Sequence, residues 1–292
     1  MSDREIWAVG RILATTTTFL GAKGSLTPRL DAELLLARIL KMSKVQLYLN
    51  FEREMSLEEL GEYRELIRRR SRLEPVAYIL GEREFYGLKL KITPAVFIPR
   101  PETEHLVDEV LHLSKTLWLN QSLRLADIGC GSGAIALALA QNIPAAKLEA
   151  VDISVEALAL AEENASALSL ADRVNFYSGD LLAPLAGSKF HLICANLPYI
   201  PTSNLDTLMP DVVQYEPRLA LDGGPEGLTL INRLIQNVPT YLEPGGRLLM
   251  EIWPPSLASL EKQVSAAGFS PAEVIQDLAG RQHIVVITAN KS

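Results

Sequence analysis

The segment Asn196-Leu-Pro-Tyr199 places a carboxamide, a conformationally fixed proline and an aromatic ring directly after the apolar run Phe190-His-Leu-Ile-Cys-Ala195. That set suits a planar NH2 group as reactant. Such a nitrogen has a delocalised lone pair and two hydrogens, so it attacks poorly unless the hydrogens are held and the nitrogen is aimed. The Asn196 side-chain oxygen and the Leu197 backbone carbonyl can each accept one hydrogen, Pro198 fixes that backbone, and Tyr199 walls the pocket. Orientation and stabilised developing positive charge then supply the rate gain, with no strong general base required. An ordinary type I or VI turn with Asn as turn former is the competing reading of the same four residues.

A second chemical signal lies upstream in Leu125-Ala-Asp-Ile-Gly-Cys-Gly-Ser-Gly-Ala-Ile-Ala-Leu-Ala-Leu139, an apolar strand, a glycine turn and an apolar helix in succession. Gly129, Gly131 and Gly133 let the backbone turn sharply and let a nucleotide-like ligand lie against it near the helix N-terminus. By itself the turn fits a methyl-donor site and a dinucleotide site about equally, since Gly129, Gly131 and Ala134 also satisfy a dinucleotide fingerprint. Asp152, ending the next strand, can accept both ribose hydroxyls of either ligand; as a helix cap it is redundant with Ser154. Asp180 follows a third strand and can accept from an adenine amino group, or simply form a turn.

Other reactive residue types read as structural. Cys130 sits within the glycine turn without a neighbouring base, so it reads as a small side chain rather than a nucleophile. Two cysteines, Cys130 and Cys194, and four histidines, His105, His112, His191 and His283, show no metal-ligand spacing. Arg68, Arg69, Arg70 and Arg72 read first as a solvated helix face opposite Glu58, Glu59, Glu62 and Glu65, and only secondly as a docking patch. Arg100 and Glu102 either order a ligand or pair with one another.

These residues need a scaffold that brings strand ends together. Beyond Pro101 the pattern alternates strands, near 123–128, 147–152, 173–177, 190–195, 246–252 and 282–288, with helices near 103–113, 133–141, 154–168, 226–240 and 256–267. That alternation predicts a parallel sheet with crossover helices. Before it, Thr27-Pro28 starts a helix through Leu40, and Ser43-Lys-Val-Gln46 and Ser56-Leu-Glu-Glu59 are capping boxes, giving a small helical domain. Leu88, Leu90 and Ile92 alternate with Lys89 and Lys91, which predicts a hairpin beginning near Phe85.

The 292 residues, 48% hydrophobic and 22% charged, suit a folded soluble protein of one large domain or of a large domain with a small companion. With 28 Lys and Arg against 35 Asp and Glu, the net charge of -7 argues against affinity built on neutralising many phosphates. The opening MSDREIWAVG has no apolar leader, and no run approaches the roughly twenty apolar residues of a membrane span. A reducing cytoplasm is the expected setting.

Together with Glu74-Pro-Val-Ala-Tyr-Ile-Leu-Gly81, Phe97-Ile-Pro-Arg-Pro-Glu-Thr-Glu104 and Tyr215-Glu-Pro-Arg-Leu-Ala-Leu221, these motifs resemble the class I S-adenosylmethionine-dependent methyltransferases. Within that superfamily the chain resembles the protein-(glutamine-N5) methyltransferases that modify peptide chain release factors. The resemblance implies an α/β fold, a Rossmann-like seven-stranded sheet at 101–292, behind an N-terminal helical substrate-recognition domain at 1–82 and a hairpin linker at 83–100. It implies methyl transfer from S-adenosylmethionine, leaving S-adenosylhomocysteine, to the glutamine side-chain nitrogen of a Gly-Gly-Gln loop. The implied partner is a class 1 release factor; no metal, nucleic acid or membrane is expected, and the chain is expected to act as a monomer. Gly129, Cys130, Gly131, Ser132, Gly133, Asp152, Asp180, Leu181 and Asn196 would hold the cofactor. Asn196, Leu197, Pro198 and Tyr199 would grip the acceptor amide, with Asn196, Pro198 and Tyr199 catalytic.

The chain departs from that family's Asn-Pro-Pro-Tyr at Leu197, a position where Leu also resembles adenine-N6 methyltransferases, and carries Trp253 where the family often has Gly. Adenine in nucleic acid or a ribosomal-protein glutamine are therefore alternative acceptors. A non-catalytic cofactor-binding docking protein and a dinucleotide dehydrogenase are alternatives of other classes.

Overall fold

In the computed structural model, which describes residues 7–119, 121–276, 280 and 282–290, the helix signals of the first eighty residues resolve into five helices. These are α1 (Val9–Ala22), α2 (Pro28–Leu40), α3 (Lys44–Leu49), α4 (Leu57–Arg70) and α5 (Val76–Leu80). Both capping boxes form: Gln46 N donates to Ser43 Oγ (3.2 Å) and Ser43 N to Gln46 Oε1 (2.8 Å), and Ser56 with Glu59 repeats the exchange at 3.1 and 2.8 Å. Thr27-Pro28 starts α2 as expected, with Thr27 at the N-cap and Pro28 in the first turn. The Thr27 hydroxyl donates to Asp31 Oδ1 (2.9 Å), one of several donors gathered by this buried carboxylate. Val9, Leu13, Leu20, Leu35, Leu36 and Leu47, all fully buried, centre the core of this unit.

The arginine run is not one solvated face. Arg68 pairs with Glu65 at the surface, but Arg70 is 5% exposed and donates to Asp31 Oδ2 at 2.6 Å, while Arg69 bridges to Glu74. A later segment, Met209–Tyr215, also packs within this helical unit: Tyr215 Oη donates to the Arg72 carbonyl (3.0 Å) and Asp211 Oδ2 lies 3.7 Å from Arg70 Nη2. The first six residues, read above for the absence of a leader, lie outside the described residues.

The second unit comprises Glu82–Leu208 and the chain from Glu216 onward. It opens with the hairpin β1 (Glu82–Phe85) and β2 (Leu88–Lys91), whose Leu88 and Leu90 are buried and Lys89 and Lys91 exposed, as the alternation predicts. The buried Asn164 side chain fastens it, accepting from Lys91 N (2.7 Å) and donating to Lys91 O (3.1 Å) and to Ser132 O (3.0 Å). Then follow α6 (Pro101–Leu117), β3 (Arg124–Ile128), α7 (Ala134–Asn142), β4 (Lys147–Asp152), α8 (Val155–Ala167), β5 (Val174–Ser178) and β6 (Phe190–Ala195). The chain continues through α9 (Pro210–Tyr215), which lies in the helical unit, to α10 (Thr229–Asn237), β7 (Leu242–Glu251), α11 (Leu257–Ala266), β8 (Glu273–Gln276) and β9 (Gln282–Thr288).

Seven of these strands form one sheet in the order β5-β4-β3-β6-β7-β9-β8, parallel except that β9 opposes both neighbours. Six of its strands were legible in the sequence. The seventh, β8, is a half-exposed four-residue edge strand without strong alternation. The helix expected at 226–240 is shortened to Thr229–Asn237, since Gly227 has φ +72° and Pro239, in a tight 3-10 turn, offers no N–H. From β3 the chain winds outward to β4 and β5, then returns to place β6 on the other side of β3. That reversal opens a crevice at the carboxyl ends of β3 and β6, the place where open α/β sheets receive ligands.

Candidate active site

Two loops enter that crevice. The first leaves β3 at Gly129, where Gly129 N and Cys130 N both donate to the Val151 carbonyl at 2.8 and 3.0 Å. Gly131 adopts φ +54° and faces open space where a side chain would stand, so a ligand can lie directly on its backbone. Asp152 ties the turn to β4: Oδ2 accepts from Gly131 N (2.8 Å) and Oδ1 from Ser154 N (2.9 Å). Ser154 caps α8 through Ala157 N (3.1 Å), as expected, so the helix does not need Asp152. Each Asp152 oxygen retains a lone pair for a further donor. Ser132 is buried and its carbonyl is held by Asn164. Cys130 is buried, and desolvation pushes its thiol well above the ordinary range, so its contribution to the turn is its backbone.

Beneath the turn lies Asp127, fully buried. Desolvation pushes its carboxyl up to about 7; Oδ2 accepts from Ala136 N (3.0 Å) in the first turn of α7, while Oδ1 has no hydrogen-bond partner. Asp180 follows β5 as predicted and is exposed, with its carboxylate drawn to Arg233 of α10. Its neighbour Leu181 is half-buried at φ +50°.

The second loop leaves β6. Residues 196–199 close no hydrogen-bonded turn. Asn196 Nδ2 donates to Glu251 Oε2 (2.9 Å) and to Thr103 Oγ1 (3.1 Å), Thr103 Oγ1 donates to the same Glu251 oxygen (2.8 Å), and Tyr199 Oη donates to Glu251 Oε1 (2.8 Å). With both amide hydrogens engaged, the Asn196 oxygen is the end of the carboxamide left to accept. Glu251 is 4% exposed, and burial pushes its carboxyl up. Burial does the same to the Tyr199 phenol, next to Glu251, so it remains a donor. Leu197 is buried in the sheet core, and its Cδ2 occupies the space a side chain on Gly129 would need. The Leu197 departure therefore joins the two loops by packing.

A glycine segment backs this loop. Ile200 N donates to Leu221 O (3.1 Å), Gly223 N to Ile200 O (2.8 Å) and Thr202 N to Gly224 O (2.9 Å). The carbonyls of Pro198 and Tyr199 press so closely on Gly223 and Gly227 that a side chain at either position would collide with them. Arg100 pairs with Glu216, not with Glu102, and lies over the Phe97 ring at 4.7 Å. His105 and His283, distant in sequence, meet edge to face at 5.8 Å. Among the described residues no group of three His, Cys, Asp or Glu side chains is placed to hold a metal ion, and no helix is long and apolar enough to cross a membrane. Sequence reading assigned no role to Thr103, Glu251 or Asn164. The one local signal was Glu251, a charged residue closing the apolar run Leu248-Leu-Met250 at the ligand edge of the sheet.

Residues 11–81 match the family model described as the PrmC N-terminal domain, and residues 106–214 match the methyltransferase small domain. A protein named release factor glutamine methyltransferase from Geobacter sulfurreducens is 40% identical over 281 residues, 96% of each chain. Proteins of the same name from Rhodopirellula baltica (41% identical; 96% of this chain, 95% of that one) and Moorella thermoacetica (43%; 90% and 92%) agree. Among solved structures, the hMettl16 catalytic domain in complex with the MAT2A 3'UTR hairpin 6 has a TM-score of 0.57 at 17% identity, covering 78% of this chain and 82% of that one. A methyltransferase from Pyrococcus furiosus has a TM-score of 0.51 at 16% identity, covering 70% and 90%. At these identities the structures share the fold.

Proposed function

Since the chain belongs to the release factor glutamine methyltransferase family, we propose that it transfers a methyl group from S-adenosylmethionine to the side-chain amide nitrogen of the glutamine in the Gly-Gly-Gln loop of a class 1 release factor. The observation that supports this chemistry best is the fixed Asn196 amide. Its NH2 is consumed by Thr103 and Glu251, so its oxygen is available to accept from an acceptor NH2 beside the glycine turn.

The residues present fit the cofactor. The open face of Gly131 is a cradle without a side chain, and Asp152 keeps lone pairs for ribose hydroxyls while holding the turn. The segment from Gly129 to Gly133, with Cys130 and Ser132 contributing backbone, would support the methionyl and ribose portions; Asp180 and Leu181 would border the adenine. When bound, S-adenosylmethionine supplies an electrophilic methyl on a sulfonium. Asn196 Oδ1 and the Leu197 carbonyl accept one hydrogen each from the substrate amide, turning its lone pair toward that methyl, and Pro198 holds the carbonyl in place. Tyr199, anchored by Glu251, walls the acceptor site with its ring. These acceptors favour a nitrogen that is becoming positive, and the proton leaves to solvent or to a carbonyl afterwards.

The helical unit is proposed to recognise the release factor. The proposed reaction uses no metal, and the enzyme is proposed to work as a cytoplasmic monomer without nucleic acid. Purified enzyme and labelled S-adenosylmethionine should be presented separately with release factor, ribosomal proteins and ribosomal RNA. Label in release factor alone is expected; label in RNA but not in release factor would replace this reading with adenine methylation.

A further inference from the structure

We infer that Glu251 is a positioning residue for the acceptor site: one buried carboxylate, steadied by Thr103, sets which way the Asn196 amide and the Tyr199 ring face. The inference rests on the proposed reading that Asn196 presents its oxygen to the acceptor amide.

A carboxamide has two nearly isosteric ends of opposite hydrogen-bonding character, and a half-turn about its last bond exchanges them. At a site that must accept hydrogens from substrate, the wrong end would present donors to donors. Something must therefore break the symmetry. Glu251, at the carboxyl end of β7 beside β6, has only acceptor oxygens when ionised, so it draws in Nδ2 (2.9 Å) and repels Oδ1. Thr103, at the start of α6, spends its single hydrogen on the same Glu251 oxygen (2.8 Å), which turns a hydroxyl lone pair toward Nδ2 (3.1 Å). Each hydrogen of the Asn196 amide thus has its own acceptor. The remaining Glu251 oxygen takes the Tyr199 hydroxyl (2.8 Å), so one side chain fixes both ends of the tetrapeptide. Glu251 and Thr103 are both 4% exposed and act through Asn196 and Tyr199. Fully satisfied buried networks of this kind favour one arrangement over its alternatives.

The test uses the full chain with three changes. Glu251→Met removes every acceptor while filling similar volume; Thr103→Val removes only the hydroxyl. The double change Asn196→Asp with Glu251→Gln exchanges carboxylate and amide between the two positions. The amide NH2 introduced on β7 can then donate to the carboxylate introduced on the loop, which still offers an oxygen to substrate. Turnover on release factor is expected to fall about tenfold or more for Glu251→Met and by less for Thr103→Val, with the donor Kd within about twofold of the unmodified enzyme. The exchanged pair should exceed Asn196→Asp alone, in which two carboxylates face each other, by about tenfold.

Selective 15N-asparagine labelling supplies a readout that needs no substrate. The two Asn196 side-chain hydrogens should be protected from solvent exchange in the unmodified protein and lose that protection in Thr103→Val and Glu251→Met. Unchanged turnover in both of those variants, or an exchanged pair no faster than Asn196→Asp, would overturn the inference. So would unprotected Asn196 hydrogens in the unmodified protein. If the unmodified enzyme labels no release factor, the proposed substrate is wrong, and the Asn196 exchange rates still decide whether Glu251 orients the amide. If Glu251→Met does not fold, Thr103→Val and the exchanged pair decide the matter.

Discussion

In the proposed reaction Asn196 offers an oxygen in one direction, and the loss of that oxygen has a definite cost. Replacing Asn196 with Ala should lower turnover by roughly a hundredfold, the scale seen when one positioned polar group leaves a reaction site. Turnover near that of the unmodified enzyme would remove Asn196 from the chemistry. The residue was legible because an amide, a proline and an aromatic ring follow one another after an apolar strand. Its orienting partners were not, because Thr103 and Glu251 are brought to it by α6 and β7 and no local spacing announces them. Asp127 allows a separate prediction. Its folded-state carboxyl is pushed up to about 7, above the roughly 3.9 of an unfolded aspartate, chiefly by burial. Between those values the folded state binds the extra proton, so Asp127 favours the fold at low pH and progressively penalises it as pH rises towards 7. Urea titrations of Asp127→Asn against the unmodified protein should show the difference shifting in the variant's favour from about pH 4 to about pH 7 and levelling above. A constant difference across that range would mean that Asp127 does not titrate there.

Loops and helices divide by what their glycines and buried charges touch. Gly227 has φ +72° and packs on the Tyr199 carbonyl, so Gly227→Ala should strain the backbone and displace the tetrapeptide. Turnover should fall by about tenfold or more at little change in donor affinity. Gly61, inside α4, has nothing within 4 Å of where a side chain would stand, and Gly61→Ala should stabilise by up to about 1 kcal/mol in urea denaturation. Unchanged turnover in Gly227→Ala would contradict the first prediction, and a loss of stability in Gly61→Ala the second. In the helical unit, Arg70→Met leaves Asp31 buried without its guanidinium and should cost about 3 kcal/mol or more; adding Asp31→Asn should restore most of the loss. The capping boxes and the β2 alternation were readable because each is a contact between near neighbours. Arg70 was misread because the residue that buries it, Asp31, lies on another helix far along the chain. β8 was missed because a short half-exposed edge strand has little pattern to show.

At the scale of the whole molecule, the sheet brings two sequence motifs together at one crevice, and Met209–Tyr215, which lies in sequence between Asn196–Tyr199 and the glycine segment that backs it, belongs to the helical unit. Strand order made the crevice predictable: once β3 carries the glycine turn and β6 the tetrapeptide, their adjacency follows from the fold class. The excursion was not predictable, since a six-residue helix gives too short a periodic signal to assign to either unit. What the molecule does with the crevice is tested most directly by incubating it with labelled S-adenosylmethionine and a purified class 1 release factor carrying either its native Gly-Gly-Gln loop or a Gln→Ala replacement. Label on the native loop and none on the replacement is the predicted result. Equal label on both, or label on neither while the donor still binds, would contradict glutamine methylation as the reaction.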